Sequence, residues 1–188
     1  MPAEPFYVPN MTSPLMTAEE LLHRNIPDKR TELVRGRLIV REPAGYRHGA
    51  VVMNLTLRLG QHVQLTGAGD LLAAETGFTL FRNPDTVRAP DIGFVRRDRI
   101  PADTRGFPEM APDLAVEVLS PDDRPGETFA KVADWLEAGV SLVWVIDPER
   151  RVGRVYRQDG TESLLNEGDE LVGEDVLPGF RCPLSSIL

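Results

Sequence analysis

The sequence predicts an α/β protein of the α+β kind, a mixed β-sheet flanked by helices with an antiparallel extension at its C-terminal end. Three observations carry this. A strand, a helix and a second strand follow one another between Asp113 and Ile146, and a crossover of that length joins parallel neighbours. Apolar residues recur at helical spacing from Arg47 to Leu65, which predicts one long amphipathic helix. Elsewhere, short apolar runs alternate with turn residues, the pattern of antiparallel strands.

Residues 1–16 hold four prolines, one acid and no Lys or Arg, and read as a flexible arm ahead of a single domain over 17–188. Thr17 and Glu20 have the spacing of a capping box, opening a short helix through Leu22. Alternation on either side of Arg35-Gly36 predicts a hairpin with strands near 31–34 and 37–41. In the long helix Val51, Val52, Leu55, Leu59 and Val63 mark the buried face, and Gly67 supplies the left-handed cap. Runs at Leu71–Ala74, Gly77–Phe81 and Ile92–Val95 then read as an antiparallel meander. In the strand Asp113–Leu119, Leu114, Val116 and Val118 take one face and Ala115 and Glu117 the other. Pro125 opens the crossover helix and Gly139 closes it, with Phe129, Val132, Trp135 and Leu136 as its apolar face. Leu142–Ile146 is a continuous apolar strand, and turns at Asp159-Gly160, Glu167-Gly168 and Gly173 divide the remainder into short antiparallel strands.

With 41 % hydrophobic and 27 % charged residues, the chain has the composition of a folded domain, so wholesale disorder is excluded. The net charge of −8, from 21 basic and 29 acidic residues, disfavours coating of nucleic acid by bulk charge but leaves a local basic groove open. Cys182 is the single cysteine, so no intrachain disulfide forms, as fits a reducing cytoplasm. No apolar run reaches the ~18 residues of a membrane span. Of the basic residues only Lys29 and Lys131 are lysines; in so Arg-rich a chain a Lys is either accidental or stands where a compact ammonium on a flexible stem is needed, and its position decides between the two.

Several chemistries lack their spacing. No Gly-rich loop ends in Lys-Ser or Lys-Thr, Ser120 lacks the flanking glycines of a nucleophile elbow, and His23, His48 and His62 are not clustered as zinc ligands. Two acids on strands remain: Asp91, after Ala89-Pro90, and Glu117, between Val116 and Val118. A carboxylate in an apolar strand must reach a polar site or solvent. An outward Glu on a half-exposed strand and a turn Asp after Pro are the ordinary alternatives.

The chain resembles the family of putative restriction endonucleases within the PD-(D/E)XK nuclease superfamily. The landmarks are Glu32-Leu33-Val34-Arg35-Gly36, Arg47-His48-Gly49, Ala89-Pro90-Asp91-Ile92-Gly93, Pro112-Asp113-Leu114-Ala115-Val116-Glu117-Val118 and the stretch from Lys131 to Trp144-Val145-Ile146-Asp147-Pro148. One departure is plain: the superfamily places a lysine two residues after the second acid, where this chain has Leu119. In this family the lysine moves to the following helix, and the matching position is Lys131.

The resemblance implies a restriction endonuclease-like fold and an Mg²⁺-dependent DNA endonuclease, a hydrolase of phosphodiester bonds for which Mn²⁺ is a possible substitute. Asp91, Glu117 and the Val118 carbonyl would hold the cation, Lys131 would be the third catalytic group, and Glu32 and His48 match auxiliary positions. Charge is polarised along the chain, with eight basic and three acidic residues between Arg24 and Arg58 and seven acids without a base from Asp159 to Asp175. DNA is therefore expected at the hairpin and long helix, at Arg35, Arg37 and Arg47. A homodimer follows from family analogy, since two centres cut two strands. The alternative is a catalytically silent fold that binds DNA or protein.

Overall fold

The computed structural model describes residues 14–24, 26–103 and 105–188; most of the arm expected over 1–16 lies outside them. The chain enters through α1 (Ala18–Leu22), whose N-terminus carries the reciprocal capping box of Thr17 and Glu20. Strands β1 (Arg30–Val34) and β2 (Arg37–Arg41) form the predicted hairpin. Its turn residues Arg35 and Gly36 both have positive φ, 48° and 72°, the turn that matches the twist of a tight hairpin. Gly36 is required twice, because a Cβ there would meet Leu15 Cβ at 2.6 Å.

The long helix α2 spans Tyr46–Thr66 and buries Val51, Leu55, Leu59 and Val63 together with His48. Gly67 ends it at φ 63°, giving its N–H to Val63 O at 2.8 Å. Then come β3 (Gly69–Ala73), β4 (Phe78–Phe81), β5 (Thr86–Arg88), β6 (Ile92–Arg96), β7 (Leu114–Val118), α3 (Pro125–Glu137) and β8 (Leu142–Asp147). The C-terminal part adds β9 (Val152–Arg157), β10 (Glu162–Asn166), β11 (Glu170–Val172) and β12 (Arg181–Pro183).

Six strands form the central sheet in the order β10-β9-β8-β7-β6-β3, in which β7 and β8 are parallel and the other neighbours antiparallel. The crossover unit is thus as predicted. The meander is corrected: β3 pairs with β6, whereas β4 leaves for a second sheet of order β2-β1-β5-β4. The strand that draws it away is β5, only three residues long, too short to show a period. The C-terminal strands are antiparallel as expected, yet β9 and β10 extend the central sheet and only β11 and β12 pair apart.

The central sheet is covered on both faces, which is why β7 and β8 read as nearly continuous apolar runs. On one face α2 packs with Phe94, Leu114, Val116, Leu142, Trp144 and Ile146. On the other, Val132 and Trp135 of α3 pack with Ala115, Val143 and Val145. The alternation of β7 therefore sends Glu117 toward α3. Cys182 is buried in the first of these layers, and both tryptophans are fully buried. Phe129 is corrected: instead of joining the apolar face of α3 it is 56 % exposed.

Candidate active site

Asp91 stands at the head of β6, its N–H bonded to Val116 O at 3.0 Å. The β6–β7 ladder ends at the pair Ile92 and Val116, leaving the Val118 N–H free to donate to Asp91 Oδ2 at 2.8 Å. In a strand the carbonyl of a residue points to the same edge as its N–H, so the Val118 carbonyl faces the Asp91 side. His48, in the first turn of α2, places Nε2 3.1 Å from the same Oδ2, and Arg30 reaches within 3.6 Å of Oδ1. Burial would raise the Asp91 pKa; the hydrogen bond and charge of His48, with the charge of Lys131 and the Val118 N–H, lower it below the usual value.

On β7, Glu117 accepts hydrogen bonds from Trp135 Nε1 and Lys131 Nζ, both at 2.8 Å. Lys131 also donates to Ala89 O at 2.9 Å and lies 3.1 Å from Glu32 Oε1. Its side chain is 15 % exposed, so the stem is buried along α3 while the ammonium enters the cleft. Burial is the largest influence on Glu117 and raises its pKa to about 7, with Asp91 and Glu32 adding to it and Lys131 opposing it. Burial pushes the other way on Lys131, and the carboxylates of Glu117, Glu32 and Asp91 overcome it to hold the ammonium charged. Glu32 also resists its burial: Lys131 and Arg88 bring it down to about 2.

These groups line a cavity of about 80 Å³ between β1, the ends of β6 and β7, and α3. It adjoins a larger one of about 490 Å³ on the far side of Asp91 and His48, bordered by Lys29 and Arg30. The structure thus brings together Asp91, Glu117, Val118, Lys131, Glu32 and His48. It does not bring Arg35 and Arg37 to them: both are exposed at the turn of the hairpin, a strand's length of roughly 17 Å from its open end. Arg47 is exposed beside His48 and pairs with Glu149 at 3.0 Å.

The cleft arginines are Arg30 and Arg41, which the sequence reading passed over. The signal was present: the two are directly paired across the hairpin, and Arg30 is two residues from Glu32, so all three share a face. Also missed was Arg88, whose guanidinium donates to Asp134 Oδ2 at 2.9 and 2.5 Å and to Glu32 Oε2 at 3.0 Å. Asp134 and Trp135 follow Lys131 by three and four residues on α3, the spacing that puts them on one side of the helix.

Among the described residues no three His, Cys, Asp or Glu side chains form a ligand cage. Two carboxylates and a carbonyl facing a cleft are a donor set that Mg²⁺ accepts, because it binds oxygen and keeps several of its waters.

No curated protein matches the sequence. The fold resembles the crystal structure of a putative nuclease belonging to DUF820 from Anabaena variabilis, with a TM-score of 0.77 at 23 % identity over 92 % of this chain and 97 % of that one. Residues 18–185 match the family described as "Uma2: Putative restriction endonuclease". With most of its length covered by that match and the restriction endonuclease-like fold beneath it, this chain belongs to the Uma2 family.

Proposed function

We propose that the protein is an Mg²⁺-dependent DNA endonuclease that hydrolyses phosphodiester bonds. The observation that carries this reading is the meeting of Asp91 and Glu117, from adjacent strands, with the Lys131 ammonium delivered from α3 at 2.8 Å from Glu117. Asp91, Glu117 and the Val118 carbonyl would hold the cation, with Mn²⁺ as a substitute. Bound there, it would polarise the phosphate and lower the pKa of a water.

The chain's own groups divide the remaining work. Val118 N–H and His48 fix the rotamer of Asp91, and Trp135 fixes that of Glu117. Lys131 presents a charge to the cleft, where it orients the attacking water or offsets negative charge developing on the phosphate, an effect of roughly a few kcal/mol away from bulk water. Arg30 and Arg41 at the mouth suit the DNA backbone. A cytoplasmic homodimer completes the proposal, since two such centres serve the two strands of a duplex.

Calorimetric titration with Mn²⁺ tests the site before any DNA sequence is known. Weak binding by the wild type, lost in both Asp91→Ala and Glu117→Ala while the fold is kept, is the expected result. Undiminished affinity in both variants would refute the assignment.

A further inference from the structure

A lysine two residues after Glu117 would be held in place by the strand ladder itself. Lys131 instead hangs from α3, a helix that meets the sheet only through its side chains, so its reach to Glu117 depends on the register of α3. The next turn of the helix carries the means to set that register. Asp134, 6 % exposed, accepts two hydrogen bonds from Arg88 of β5. Arg88, 5 % exposed, donates with its other arm to Glu32 Oε2. Glu32 Oε1 in turn lies 3.1 Å from Lys131 Nζ. The contacts close a ring: from Lys131 along α3 to Asp134, across to Arg88, on to Glu32 and back to the ammonium.

A buried ion pair is a poor source of stability, because desolvation offsets its Coulomb attraction; its best-attested use is to specify register. The Arg88 guanidinium has the geometry for that use: it is rigid and planar, with Nε and one Nη both on Asp134 Oδ2 and the other Nη on Glu32. We propose that Arg88 and Asp134 are positioning residues that fix α3 on the strands and, through Glu32, hold the Lys131 ammonium against Glu117. The role given to Lys131 rests on the nuclease reading. The ring is a property of the protein without metal or DNA.

That separation decides the experiment. Lys29 and Lys131 are the only lysines, so protein labelled with ¹⁵N-lysine has two side-chain ammonium groups to observe by NMR. In metal-free wild type the Lys131 ammonium, bonded to Glu117 and Ala89, gives a signal protected from exchange with water. Lys131→Ala assigns it. Asp134→Asn and Arg88→Gln, which add no further lysine, are each expected to speed that exchange by about tenfold or more and so erase the signal. Arg88→Gln serves if Asp134→Asn fails to fold.

The same variants in single-turnover DNA cleavage supply a cycle. Asp134→Asn lowers the rate roughly ten- to a hundredfold in the wild-type background, leaves DNA affinity unchanged, and has no further effect in Lys131→Ala. A Lys131 signal absent from the wild type, or equally protected in both variants, would overturn the proposal. So would rate losses that multiply in the Lys131→Ala background. A protected signal that Asp134→Asn erases, in a protein that cleaves no DNA, would uphold the positioning role and refute the nuclease reading.

Discussion

Glu117→Gln is expected to stabilise the metal-free protein at alkaline pH. Burial and the neighbouring Asp91 and Glu32 raise the Glu117 pKa from 4.5 to about 7 against the opposing charge of Lys131, each tenfold being worth about 1.4 kcal/mol. Keeping this carboxylate ionised in the fold therefore costs about 3 kcal/mol. For an acid whose folded pKa is raised, the stability contribution is full below the unfolded value, here near 4.5, and is lost as pH rises through about 7. Glutamine cannot ionise and escapes that loss. Its Oε1 keeps the bond from Trp135, whereas its amide loses the bond from the Lys131 ammonium, a change of about 1–3 kcal/mol.

The lost bond weighs at both ends of the pH range and largely cancels when they are compared. Urea denaturation with chelator at pH 5 and pH 8.5 isolates the titration. Because pH 5 already lies above the unfolded value, the stability of Glu117→Gln relative to wild type should rise by about 2.5 kcal/mol between the two pH values. A relative stability constant to within about 0.5 kcal/mol would refute the claim that Glu117 carries a destabilising charge.

Proton and metal compete for the same carboxylate, so Mn²⁺ affinity measured by calorimetry should rise roughly tenfold per pH unit up to about 7 and flatten above it; a flat profile from pH 5.5 would contradict this. Replacing Arg30 and Arg41 together by Gln should reduce the slope of log affinity for DNA against log salt by about 2, while Arg35 and Arg37 replaced together should leave it nearly unchanged. The reverse ranking in fluorescence anisotropy would move the DNA face to the hairpin turn. Lys131→Ala should lower the single-turnover cleavage rate by roughly two orders of magnitude with metal binding nearly intact, and Lys131→Arg should rescue poorly; equal rates in all three proteins would remove Lys131 from the chemistry.

Local pattern made much of this arrangement legible. The alternation of β7 sets Glu117 on the face opposite Leu114, Val116 and Val118, and the crossover from β7 through α3 to β8 follows from its length and its Pro125 and Gly139 ends. Their consequence, that Glu117 looks toward the helix bearing Lys131, is present in the structure. What stayed hidden depends on non-local partner choice. Three residues, Thr86–Arg88, carry no period, so neither the second sheet nor the position of Arg88 beside Asp134 was visible.

A helical wheel gives the direction of Phe129 but not whether the sheet offers anything to cover it, and it is left exposed. Arg30 and Arg41 were legible from the hairpin and were passed over for a different reason. Counting charge along the chain weights every arginine equally, whereas the hairpin register puts this pair at the cleft and Arg35 and Arg37 at the far turn. Trp135 was legible as core; its N–H to Glu117 is a second use of the same buried ring.

Cleavage of DNA by the wild type and Asp91→Ala, with and without Mg²⁺, tests whether a metal at Asp91 and Glu117 drives the hydrolysis. Asp91 loses only its own carboxylate in this variant, and its neighbours Glu117 and Lys131 keep their mutual bond. Under single-turnover conditions the wild type should make internal cuts with Mg²⁺, including in circular DNA, and none with chelator, and Asp91→Ala should lose at least about a hundredfold in rate. Cleavage that persists in chelator, or that Asp91→Ala performs at the wild-type rate, would contradict a metal-dependent centre at Asp91 and Glu117.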